Sequence, residues 1–257
     1  MTISTLALYN KQYVLKIANT ADIVLLDIDD VIITPNQYLC STSWYGRYHT
    51  LNKGILSPHT LIQDFYTCMN RTEYQAVNLD LIEDMSNLAN EKSVLGFTAR
   101  IVSFAPETHS AIKKTGMKFS SFADNMHENI QNGVIYVGYN IRTGKSNNNG
   151  DFLAHLLQMK KFEGVKSILF IDDTLRNLQE VKDALPSHIN FYGIHFTEAK
   201  ARLFCDYEQK DLDAISDYQF EHMHIDHLIP SNNEALQNIF YSWSNYSNPN
   251  LGFIIFC

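Results

Sequence analysis

No part of this chain is apolar for long. A bilayer-spanning helix needs roughly 20 consecutive apolar residues, and the apolar tail Phe253-Ile254-Ile255-Phe256-Cys257 falls far short of that. Runs rich in Lys and Arg are also missing. Twenty basic residues stand against 28 acidic ones, for a net charge of −8. That balance repels nucleic acid and anionic membrane surfaces, so neither is an expected partner. Cysteine is scarce: Cys40, Cys68, Cys205 and Cys257 are far apart, with no C-x-x-C. No disulfide framework is legible, and a reduced, cytoplasmic setting is the simpler expectation. The N-terminus lacks a basic region followed by an apolar one, which argues against a cleaved signal peptide. Secretion by a signal outside the standard patterns stays open. A terminal Cys257 does not fit a prenylation signal, and there are no internal repeats or long low-complexity tracts.

Of the 257 residues, 45% are hydrophobic and 19% charged, which suits one α/β domain carrying an insertion. Short, continuous apolar runs recur: Ile23 to Asp27, Val94 to Thr98, Gly133 to Val137, Ser167 to Asp172 and Asn190 to Ile194. Runs of this kind read as buried parallel strands, which have no polar face to show. Helical spacing appears between them, over 73–90 (Tyr74, Val77, Leu81, Met85, Leu88), at Phe152, Leu156, Leu157 and Met159, and at Leu175, Leu178, Val181 and Leu185. Asp151 and Asp173 or Thr174 are the expected N-caps of the last two helices. The alternation predicts a Rossmann-like parallel sheet with helices on both faces. About 65 residues separate the first two strands, more than one crossover needs. Residues 35–71 are therefore expected to form a small, mostly helical cap over the sheet's carboxyl edge. The core then comprises 1–34 and 72–257, with helical additions packed on it after about 200. Residues 146–150 read as a polar loop.

Chemistry gathers at the strand ends. Asp27 and Asp29 follow the first run, Thr98 ends the second, Lys145 follows the third, and Asp172-Asp173 end the fourth. Carboxylates at the carboxyl ends of parallel strands stand where open α/β sheets keep their ligands, and crowding them is costly without a cation. The pieces Asp27-Ile28-Asp29, Gly96-Phe97-Thr98-Ala99-Arg100, Thr143-Gly144-Lys145 and Phe170-Ile171-Asp172-Asp173, in this order over about residues 23 to 195, resemble the haloacid dehalogenase (HAD) superfamily, specifically its phosphatase branch. The chain also resembles an uncharacterised bacterial subgroup of HAD-like proteins.

The resemblance implies a Mg²⁺-dependent phosphohydrolase that acts on a small phosphate monoester through an aspartyl-phosphate. Asp27 would be the nucleophile and Asp29 the acid/base. Thr98, Ala99 and Arg100 would face the phosphate, and Lys145 would offset charge on the nucleophile and the phosphoryl group. Mg²⁺ would sit on Asp27, Asp172 and the Asp29 backbone carbonyl, with Asp173 either a ligand or a residue behind one. Asp29 separates this branch from dehalogenase-type relatives and from the transport ATPases. Asp30 departs from the pattern, since many relatives have Gly there.

Each residue also has a plainer reading. A strand-end Asp is commonly a cap or turn residue. Arg100 either reaches a substrate phosphate or sits exposed. Lys113, Lys114 and Lys118 are rivals to Lys145. The aromatic segment Trp44 to His49 either stacks on an organic leaving group or packs. His222, His224 and His227 suggest zinc, yet no single conformation aligns all three. A two-component receiver domain shares the residue types, but its acidic pair comes first and its chain is about half as long. The remaining alternatives are an idle HAD-like binding or scaffold protein with a protein partner, and a phosphotransferase or phosphomutase on the same core.

Overall fold

The computed structural model describes residues 1–246 apart from 125, 141–144 and 203, so Phe253 to Cys257 lie outside the described residues. In chain order the elements are β1 (Thr2–Leu6), α1 (Lys11–Ala18), β2 (Ile23–Leu26), β3 (Ile33–Pro35), α2 (Thr42–Asn52), α3 (Pro58–Arg71), β4 (Tyr74–Ala76), α4 (Leu79–Leu88), β5 (Ser93–Thr98) and α5 (Ala105–Thr115). Then follow β6 (Ile130–Gln131), β7 (Val134–Tyr136), β8 (Tyr139–Asn140), β9 (Lys145–Ser146), α6 (Asn149–Leu156), β10 (Ser167–Asp172), α7 (Leu175–Ala184), β11 (Asn190–Phe196), α8 (Glu198–Arg202), α9 (Gln209–Ile225) and α10 (Asn232–Tyr246).

The fold is α/β, as the strand-and-helix alternation predicts. Seven strands form a sheet in the order β1-β11-β10-β2-β5-β7-β6, parallel except for the last pair. Alternate residues of each buried strand face opposite layers. Val24 and Leu26 pack with α1, α4 and α5 through Val14, Leu81, Met85 and Ile112. Ile23 and Leu25 pack with α6 and α7 through Leu153, Leu156, Leu178 and Val181. From β2 the chain runs outward through β5 and β7, then returns to lay β10 on the other side of β2. The carboxyl ends of β2 and β10 therefore flank the point where strand order reverses, the usual ligand crevice of such sheets.

Several local expectations are corrected. The 73–90 helix starts late, because Tyr74–Ala76 pair with Ile33–Pro35 as an antiparallel ribbon and the Asn78 side chain caps α4 at the Leu81 amide. Asn148, not Asp151, caps α6, and of the expected loop 146–150 only Asn147 and Asn148 lie between β9 and α6. Thr174 is the N-cap residue of α7, without a side-chain cap bond. Strand β1, a half-exposed edge, carries too little apolar signal to be read.

The insertion is a helical hairpin, α2 and α3, standing on the β3–β4 ribbon. Helix α9 packs on this hairpin and α10 packs on α9, where additions to the core were expected. Arg47 of α2 pairs with Asp213 and Asp217 of α9. Trp44 and Tyr48 stack on each other and meet Phe220 at a tilt, and Arg71 donates to the Met223 carbonyl. The Trp44 to His49 segment is thus mainly packing. The reduced-cysteine expectation is also overturned, since Cys40 and Cys68 form a disulfide with Cα atoms 5.6 Å apart, inside the same cluster. Their 28-residue separation gives no spacing signal; only the hairpin brings them together. No helix among the described residues is long and apolar enough to cross a membrane.

Candidate active site

The β2 strand ends one residue before Asp27, and β10 ends at Asp172. Because the two strands pair in parallel register, Ile171 with Leu26, their acidic ends lie side by side. Oxygens of Asp27, Asp172 and Asp173 come within 4.8 Å of one another. Burial first, then the neighbouring Asp172 and Asp173 carboxylates, push Asp27 well above the usual carboxylate range. Asp172 is pushed up to about 8, again by burial and then by Asp173. Hydrogen bonds relieve part of this: the Ile28 amide donates to Asp27, and the Thr174 amide and Asn177 side chain donate to Asp172. Three carboxylates with hard oxygen donors, two of them held against their preference for charge, fit a small divalent cation such as Mg²⁺.

The same cavity, about 220 Å³, is lined by Asp29, Thr98, Ala99 and Arg100 as well. Thr98 is buried, and its Oγ1 accepts from the Arg100 amide. Arg100 is buried too, so the exposed reading falls away. Its Nε and Nη2 donate to the two oxygens of Asp29 at 2.9 and 2.6 Å, and Nη1 donates to Thr108 at 3.1 Å. The Asp29 carboxylate is thereby held outside the Asp27–Asp172–Asp173 trio. Despite the burial of Arg100, the charge on Asp29 shifts the guanidinium upward. Asp30, where the motif it resembles often has glycine, takes the left-handed conformation (φ 60°). An aspartate tolerates that region when its side chain bonds locally, and Asp30 accepts from Thr34 and Thr42. Burial raises it to about 6.

Lys145 stands in β9, paired with Asn140 and four residues before Asn149, which lines the cavity; its side chain lies outside the described residues. Lys113, Lys114 and Lys118 are exposed and do not line this cavity. Sequence reasoning missed Lys200, on α8 after β11, whose Nζ sits 2.8 Å from Asp173 on the side away from the cavity. No strand-end motif marks it. Also missed were Asn177, Thr174 and Asn149. The last is buried with an Oδ1 that has no partner among the described residues, and it is set close to α7 by Gly150, where a Cβ would meet the Glu180 carbonyl at 2.2 Å. The histidines point apart. His222 bonds the Tyr218 carbonyl, His224 faces Asp64, and His227 follows the C-cap of α9 with φ 59°.

A search of the curated proteins gives no match. The family described as "Protein of unknown function (DUF2608)" matches residues 10–237, a span that holds every candidate site residue named above, and the chain belongs to that family.

Proposed function

We propose that the chain is a Mg²⁺-dependent phosphohydrolase of the HAD type, acting on a small phosphate monoester. The observation that carries this reading is the trio Asp27, Asp172 and Asp173 beside Thr98 in one cavity at the strand-order reversal. Asp27, Asp172 and Asp173 would hold the ion, with the Asp29 backbone carbonyl added by the resemblance. Bound there, it would neutralise the carboxylates and draw charge from the phosphoryl oxygens.

An Asp27 oxygen attacks phosphorus, the ester P–O bond breaks, and the leaving oxygen takes a proton from Asp29. Water then attacks the aspartyl-phosphate and gives its proton back to Asp29, freeing phosphate. Thr98 supplies a hydroxyl to the phosphoryl oxygens, and Lys145 a positive charge. Both Asp29 oxygens accept from Arg100, so one of those bonds must open for Asp29 to carry the proton. That ion pair is also what favours the second reading, an idle phospho-ligand binder. A cytoplasmic location sits poorly with Cys40–Cys68, since disulfides persist in oxidising compartments; an extracytoplasmic one fits better.

Hydrolysis of an aryl phosphate should require Mg²⁺, stop in EDTA and vanish in Asp27→Asn, whose amide is nearly isosteric but a poor nucleophile. Equal rates in chelator would remove the metal from the mechanism. Mg²⁺-dependent binding of beryllium fluoride without turnover of any monoester would make the binder reading the right one.

A further inference from the structure

The cavity has two unlike halves. Its floor is the acidic cluster with Thr98 and Arg100; its roof is Tyr45 of α2 and Ile62, Phe65 and Tyr66 of α3. The roof rings form a continuous series. Tyr45 and Phe65 have centroids 4.3 Å apart, Phe65 and Tyr66 6.1 Å, and Tyr66 stacks on Phe104 at 3.6 Å. Among the described side chains of the lining, Arg100 is the sole cation, and Asp29 and Thr108 engage it. No described cation is therefore available to a second anionic group on the substrate, and Lys145 is assigned to the phosphoryl group itself. At about 220 Å³ the cavity is also below the roughly 300–1,000 Å³ of sites for drug-sized ligands. It suits a phosphoryl group plus one ring, and is small for a nucleotide.

Resting on the phosphomonoester reading above, we propose that the substrate is the phosphate ester of a ring-bearing alcohol or phenol with no second anionic group, the ring seated under Tyr45, Phe65 and Tyr66. Rings prefer offset or edge contacts with rings, and the tilted Tyr45–Phe65–Tyr66 series presents both faces and edges.

The test compares 2-phenylethyl phosphate with glycerol 3-phosphate, whose leaving alcohols are both alkyl, so leaving-group chemistry does not decide the outcome. The expected kcat/KM ratio is about tenfold or more in favour of the ring, the worth of one good aromatic contact. Phe65→Leu, which keeps apolar bulk without the ring, should shrink that ratio severalfold. Calorimetry on the wild type with Mg²⁺ should show 2-phenylethylphosphonate binding about tenfold tighter than ethylphosphonate. Equal binding of the two phosphonates, or an unchanged ratio in a folded Phe65→Leu protein, overturns the proposal. If phenylethylphosphonate binds tighter but no monoester is hydrolysed, the ring subsite stands and the hydrolase reading fails.

Discussion

Arg100 holds Asp29 through two hydrogen bonds, with its own side chain 3% exposed and that of Asp29 22% exposed. Removing one partner of such a pair leaves the other charged and poorly solvated. Arg100→Ala should therefore destabilise the fold by about 3 kcal/mol, the low end for a broken buried pair, as read from denaturant midpoints. It should also cut turnover, because Asp29 loses its fixed position. A midpoint within error of the wild type would mean that Asp29 is solvated or paired elsewhere. The lysines separate in the same way. Lys145→Ala should lower kcat by about 10²-fold or more, as losses of charge-stabilising donors do. Lys118→Ala, at an exposed position outside the cavity, should leave kcat unchanged, and Lys200→Ala should have a smaller effect than Lys145→Ala. The reverse order would move the charge-neutralising role from Lys145 to Lys200.

Helices α2 and α3 form the roof of the cavity, and two features keep the hairpin in place. One is the Cys40–Cys68 disulfide; the other is the α9 buttress through Arg47, Trp44 and Tyr48. Closing a loop of 28 residues removes unfolded-chain entropy worth about 3–4 kcal/mol in the chain-entropy model. The Cys40→Ser/Cys68→Ser double variant should therefore melt several degrees lower in a thermal scan. Dithiothreitol should reproduce that shift in the wild type and leave the variant unmoved. Identical melting of both proteins under oxidising conditions would show that the bridge adds no stability. Because the roof hangs from this hairpin, KM should rise on reduction more than kcat falls.

For the molecule as a whole, the acidic trio sets the dependence on pH and metal. Asp172 titrates near 8 in the folded protein, against about 3.9 for an unperturbed Asp, and Asp27 is raised as well. An acid with a raised pKa binds its proton more tightly folded than unfolded. Its contribution is complete below the unfolded value and is lost as pH climbs through the folded one. In EDTA, stability should therefore decline from about pH 4 to beyond pH 8 relative to Asp172→Asn, which lacks the ionisation. Saturating Mg²⁺ should remove most of that decline, since ligand binding to the folded state adds stability by mass action. Parallel curves for wild type and Asp172→Asn in EDTA would show that neither burial nor the neighbouring Asp173 raises Asp172.

The fold class was legible because buried parallel strands need continuous apolar runs, and five such runs appear in order with helical spacing between them. The positions of Asp27, Thr98 and Asp172 were legible for the same reason: a strand's direction is written in its own residues, and so is what stands at its end. The late start of α4 was not legible, because Tyr74–Ala76 fit a helix by spacing and a strand by their pairing with Ile33–Pro35. Local sequence thus determined the five central strands, the helical layers and the acidic floor of the cavity, all of which follow from patterns within short windows. Tertiary structure alone decided that Arg100 holds Asp29, that Cys40 meets Cys68, that Lys200 backs Asp173, and that α9 braces the roof. Each joins residues 27 to 176 positions apart. Contacts across such separations depend on how elements dock, and no local pattern of residues encodes that.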